Sequence, residues 1–212
     1  MTSYWNKQDF EVFDTLGLEA RMGLLVERVR PKFEELGSHY SSFFSATTGD
    51  EFFPHVAKHM RRTVNPPNDS WVAFAPHKRG YKAVPHFQIG LWSSHIFIIL
   101  AVIYEAPNKT TMAQNLLDEG AIAALPEGFV VSGDHMKPDA SPLAEMADGE
   151  LNKLIVRLRD VKKGEFVIGR HISKEEAIKM SEEEFKEFAE ETFAALLPVY
   201  KTLLQKEKMP QR

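Results

Sequence analysis

The stretch "HFQIGLWSSHIFIILAVIYE", residues 86 to 105, limits what this chain can fold into more than any other segment. Its first seven residues set His86, Gln88 and Gly90 against Phe87, Ile89 and Leu91, and a period of two is the mark of a strand with unlike faces. The run from His95 to Glu105 is apolar and β-branched throughout, as suits a strand covered on both sides. Only Ser93 and Ser94 separate the two, so the pair reads as a hairpin around a central strand. "WVAFA" at 71 to 75, "GFVVSG" at 128 to 133 and "EFVIGRHI" at 165 to 172 are further strand candidates.

Helical spacing takes over on either side. Leu18, Met22, Leu25, Val26, Val29, Phe33, Leu36 and Tyr40 recur every three or four positions, which predicts a long N-terminal helix with Pro31 as a kink. "KTTMAQNLLDEGAIAAL" also reads as helical, and "DGELNKLIVRLRDV" places Leu151, Leu154, Ile155, Leu158 and Val161 on one helical face. Ser173 with Glu176, and Ser181 with Glu184, each match the Ser-x-x-Glu box that opens a helix, and the last helix runs through Pro198 to Leu203. Strands in the middle with helices to both sides predict an α+β fold with a mainly antiparallel sheet.

A chain of 212 residues with 43% hydrophobic content can bury one sizeable core, so we read a single α+β domain over 1–212. There is no cysteine, which excludes disulfides, thiol nucleophiles and thiolate metal sites and suits a reducing compartment. The N-terminus lacks an apolar core of signal-peptide length, and the run from Ile96 to Tyr104 falls far below the roughly 20 residues of a membrane-spanning helix. A cytoplasmic protein without a membrane contact is the expectation. The glycines never take the spacing that cradles a pyrophosphate, so no nucleotide cofactor is expected.

Charge points to a site. Between His55 and His86 stand Lys58, Arg61, Arg62, Lys78, Arg79 and Lys82 against one acid, Asp69: a local balance of +5 in a chain whose net charge is −4. Such an asymmetry attracts anions. Two accounts fit. If Pro54 opens a helix over 54 to 62, Arg61 and Arg62 fill its last turn and answer the macrodipole with no ligand at all. That account leaves the second cluster at 78 to 82 unexplained. The alternative is that Arg61, Arg62, Lys78, Arg79 and Lys82 converge on a phosphorylated small molecule or a short single-stranded nucleic acid, with His59, His86 and Tyr81 as further contacts. Protonation of His59 and His86 near their ordinary pKa of about 6.5 would then raise affinity as pH falls.

Enzyme readings rest on less. His55 and His59 would share a face of that helix, but Val56 stands where a metalloprotease carries its glutamate, and Lys58 and Arg62 repel a dication, so no metal is expected there. Acid–base use of His55, His59 or His86 remains an alternative, as does docking of an acidic partner on the basic face. "VVSGDHM" sets Ser132, Asp134 and His135 within four residues, yet it lacks the G-x-S-x-G elbow of a hydrolase.

The segments "GLEARMGLLVERVRPKFEELG", "TGDEFFPHVAKHMRRTVNPPNDSWVAFAPHKRGYKAVPHFQIGLW" and "SGDHMKP" resemble the YktB-like family of uncharacterised cytosolic bacterial proteins. The resemblance runs from about residue 10 to the last helix. It implies a curved, mainly antiparallel sheet gripped by helices, similar to the TATA-binding-protein-like class. It carries over no activity and no catalytic residue, and fold kinship alone says nothing of function.

Overall fold

The N-terminal helical period is realised as a column that changes its winding once, just before Pro31. In the computed structural model, which describes residues 3–205, α1 (Lys7–Glu11) leads into α2 (Leu18–Leu24), then a π-helical turn (Leu25–Val29), then α3 (Arg30–Thr48). Proline has no N–H and its ring crowds the carbonyl four residues back, here Glu27. The wider π turn lies at that carbonyl and absorbs the conflict. Gly49 ends α3 at φ 83°, the left-handed conformation that glycine adopts without strain.

Seven strands form one sheet: β1 (Phe53–Val56), β2 (Asp69–Ala75), β3 (His86–Trp92), β4 (His95–Val102), β5 (Val130–Ser132), β6 (Ser141–Pro142) and β7 (Phe166–Ser173). Their order is β1-β2-β3-β4-β7-β5-β6. The architecture is α+β with an open antiparallel sheet, as the strand and helix periods predict. Both predicted hairpin strands are present as neighbours, and β3 spans the predicted residues 86–92.

Two compact units divide the chain. The first holds residues through Tyr81, Phe87–Ile98 and His171–Glu190; the second holds Lys82–His86, Ile99–Arg170 and the chain from Glu191. In the first unit α3 lies across β1 and β2. Phe33, Leu36, Tyr40 and Phe44 form its fully buried stripe. Phe44 stacks on Phe87 with ring centroids 4.3 Å apart and meets Phe74 at 5.4 Å, so the stripe covers one face of β1, β2 and β3. Burial on that scale makes Phe44→Ala a loss of about 3–5 kcal/mol. Ser173 and Glu176 form the predicted capping box of α6 (Lys174–Ala177), and Ser181 and Glu184 exchange the same pair of bonds at the start of α7 (Glu182–Leu203). That helix continues through Pro198.

In the second unit α4 (Lys109–Glu119) packs on α5 (Glu150–Asp160). The Lys109 ammonium donates to the carbonyls of Leu158, Val161 and Gly164 at 2.8, 2.5 and 3.1 Å, and so caps the end of α5 from the neighbouring helix. β5 pairs antiparallel with β7, Val130 opposite Gly169. No helix among the described residues is long and apolar enough to cross a membrane.

One expectation is overturned. Residues 54 to 62 are not a helix: Phe53–Val56 is an edge strand in register with β2, Pro54 opposite Phe74. An edge strand tolerates a proline because its N–H is not needed by the ladder, and pairing with β2 outweighs the local helical reading. The macrodipole account of Arg61 and Arg62 falls with the helix, and so does a shared helical face for His55 and His59.

Candidate functional site

The face of β2 turned away from α3 carries the site. Val72 and Phe74 point to the helix and are fully buried, whereas Trp71, on the alternate face, is only part-buried. Trp71 Nε1 donates to Tyr81 Oη at 3.0 Å, tying the strand to the loop beyond it. The Tyr81 ring meets the His55 ring at 5.5 Å, and the His59 ring stands edge-on to Trp71 at 5.6 Å and 89°. Four rings therefore form one cluster on the β1–β2 surface.

Each end of that cluster holds a turn. At one end His59 Nε2 lies 3.1 Å from Ser70 Oγ, and Arg62 N donates to His59 O at 3.0 Å, closing a turn with Arg61 at its tip. His59 takes φ 52°, a left-handed backbone that few side chains other than Asn, Asp and His adopt. At the other end His55 Nε2 donates to His77 O at 2.9 Å, so Lys78 and Arg79 form a turn between two residues, His77 and Tyr81, that both rest on His55. This bond fixes the proton of His55 on Nε2.

The first turn is crowded with positive charge. Arg62 Nη1 reaches Pro66 O at 3.4 Å while Arg21 Nη1 donates to the next carbonyl, Pro67 O, at 2.8 Å. Burial pushes His59 down to about 4, and Arg62 and Arg30 push it the same way. Burial likewise lowers Arg21, which Asp14 raises and Arg62 lowers. Among the described residues Arg30, Arg61, Lys78 and Arg79 have no ion-pair or hydrogen-bond partner. Asp14 acts on Arg21 alone, and like charges gathered with so little compensation are the arrangement that an anion relieves.

Arg61, Arg62, Lys78, Arg79, His59 and Tyr81 thus all belong to this face or its turns. His86 does not present itself to solvent: it is fully buried in β3, with Nδ1 2.8 Å from Val84 O. Lys82 pairs with Glu105 at 3.1 Å within the second unit. The expected rise in affinity through His59 near pH 6.5 is also corrected, because this imidazole stays neutral until about pH 4. Arg30 and Arg21 were missed by sequence reasoning. They lie more than twenty residues from the basic segment, and only packing of α2 and α3 brings them to it.

A second cluster lies in the other unit. His135 Nδ1 meets Glu165 Oε2 at 2.7 Å, and His135 N donates to the same oxygen at 3.1 Å, while Tyr104 N reaches Oε1 at 3.4 Å. These bonds hold the Glu165 carboxyl below its ordinary range against the burial that would raise it. Asp134 completes the one His/Asp/Glu group among the described residues whose donor atoms lie within 4.8 Å of one another. Lys137 stands 3.7 Å from Asp134, and the direct His135–Glu165 bond uses the donors a cation would need, so the group reads as a brace for the turn after β5. The Ser132, Asp134, His135 triad does not form: Ser132 Oγ bonds the Asp134 backbone, and His135 turns to Glu165.

The family described as "Domain of unknown function (DUF1054)" matches residues 5–200. The chain belongs to that family. A "UPF0637 protein" of Lysinibacillus sphaericus is 57% identical over 204 residues, covering 96% of this chain and 97% of the relative. Relatives bearing the same designation in Exiguobacterium sibiricum and Staphylococcus haemolyticus are 45% and 46% identical, covering 96% and 94% of this chain and 100% of each relative. The YktB-like resemblance fits this DUF1054 family. The matched span takes in both turns and the ring cluster between them, so the site lies in the part of the chain that the family shares.

Proposed function

We propose that this DUF1054 protein is a cytoplasmic binding protein for a phosphorylated ligand, held on the β1–β2 face by Arg61, Arg62, Lys78 and Arg79. The observation that carries the reading is the gathering of Arg30 and Arg62 beside His59, with Arg21 beside Arg62 and no ion pair on Arg30, Arg61 or Arg62 among the described residues. An arginine fork holds two phosphate oxygens at once and keeps its charge at every physiological pH. His59, neutral above about pH 4, acts as a spacer that fixes the turn.

Calorimetry with pyrophosphate at low salt tests this. Wild type binds, affinity falls as salt screens the site, and Arg61→Glu with Arg62→Glu abolishes binding. The double variant keeps its thermal midpoint, because Arg61 is exposed and Arg62 gives up only two 3.4 Å bonds to carbonyls. Absence of heat with wild-type protein rejects the reading.

A further inference from the structure

We infer that the ligand of this face is a short single-stranded nucleic acid, with a base lying on the Trp71–Tyr81 pair and phosphates seated at the two flanking turns. The inference rests on the anion-binding reading above and names its ligand class.

Residues in strands that face a packed helix belong to the core, and on β2 those residues are Val72 and Phe74. Trp71 faces the other way and is the one part-buried residue of β2: Ala73 and Ala75 on that face are fully buried, and the Phe97 ring fills the place of a side chain at Gly90, its cross-strand partner. Its indole N–H is already used by Tyr81 Oη. What the indole has left to offer a ligand is its π surface, which accepts any base. Tyr81 is held through its hydroxyl by Trp71 and through its ring by His55, so the platform is ordered before a ligand arrives and little freedom is lost on binding.

The charges flank the rings on both sides. Arg61 and Arg62 sit at the turn that His59 pins against Trp71 and Ser70, and Lys78 and Arg79 at the turn that His55 pins beside Tyr81. A simple phosphate or a mononucleotide has one charged end and answers one turn. A base within a strand has a phosphate on its 5′ and its 3′ side and answers both. The length is limited by the rest of the protein: with a net charge of −4 and pI near 6.1, the chain repels a long polyanion beyond this patch.

Four probes separate the possibilities at low salt: pyrophosphate, thymidine 5′-monophosphate, a fluorescein-labelled thymidine hexanucleotide and the duplex it forms with its complement. The hexanucleotide binds about tenfold tighter than either small probe and, unlabelled, quenches tryptophan fluorescence, as stacking on an aromatic pair predicts. Tyr81→Ala loses that tenfold and leaves pyrophosphate affinity within about twofold. Lys78→Glu with Arg79→Glu, at an exposed turn, weakens the hexanucleotide about tenfold and the monophosphate hardly at all. Pyrophosphate binding with no gain for the hexanucleotide, equal weakening of all probes by Tyr81→Ala, or tighter binding of a duplex of the same length overturns the inference and leaves the anion site standing. Failure of every probe rejects both.

Discussion

Acid should destabilise this protein through part-buried imidazoles, and the size of the largest contribution, that of His171, follows from its surroundings. His171, on β7, stacks on His95 of β4 with ring centroids 4.2 Å apart and 24° between planes. Burial first, and the neighbouring His95 second, push His171 down to about 3 from its ordinary 6.5. Ser94 Oγ lies 2.8 Å from His95 Nδ1. An unfolded chain takes up a proton on this histidine below 6.5, whereas the native chain does so only near 3. Stability is therefore whole above pH 6.5, falls as pH drops from 6.5 towards 3, and levels off below. At about 1.4 kcal/mol per pH unit the full loss is of order 5 kcal/mol, and about 2 kcal/mol of it has gone by about pH 5. Urea unfolding of wild type and His171→Gln at about pH 7.5 and 5 measures it. Other groups titrate in both proteins, His59 among them, and cancel in the comparison. The wild type loses about 2 kcal/mol more than the variant over that interval. Parallel losses would show that His171 is not the group held neutral, and the argument from burial would be wrong.

Two further substitutions test the packing. A Cβ at Gly90, which pairs with Trp71 across β2 and β3, would stand 1.9 Å from Phe97 Cζ, so Gly90→Ala costs about 3 kcal/mol or more by chemical denaturation and Phe97→Leu restores part of it. Lys109→Ala strips three carbonyls of their shared donor in a buried setting and costs about 2–4 kcal/mol, seen as a lower thermal midpoint with the rings of the first unit undisturbed in near-ultraviolet circular dichroism.

Much of the fold was legible in the sequence because period and punctuation are local. The alternation at 86–92, the two serines, the Ser-x-x-Glu boxes and the clash built into Pro31 each act within a few residues of their own position. The segment at 52 to 62 was not legible in that way. Pro54 at its start and Arg61 and Arg62 at its end suit a helix, yet Phe53–Val56 pairs with Asp69–Ala75, and a ladder to a distant partner leaves no trace in local spacing. The site shows the same division. Composition and charge placed two cationic clusters near Trp71 and Tyr81, but their joining through His55 and His59, the burial of His86, and the arrival of Arg21 and Arg30 from a helical column depend on which surfaces pack. Charge is carried by residue type and can be counted along a chain. Proximity is set by the long-range burial of apolar faces, and only the folded structure decides it.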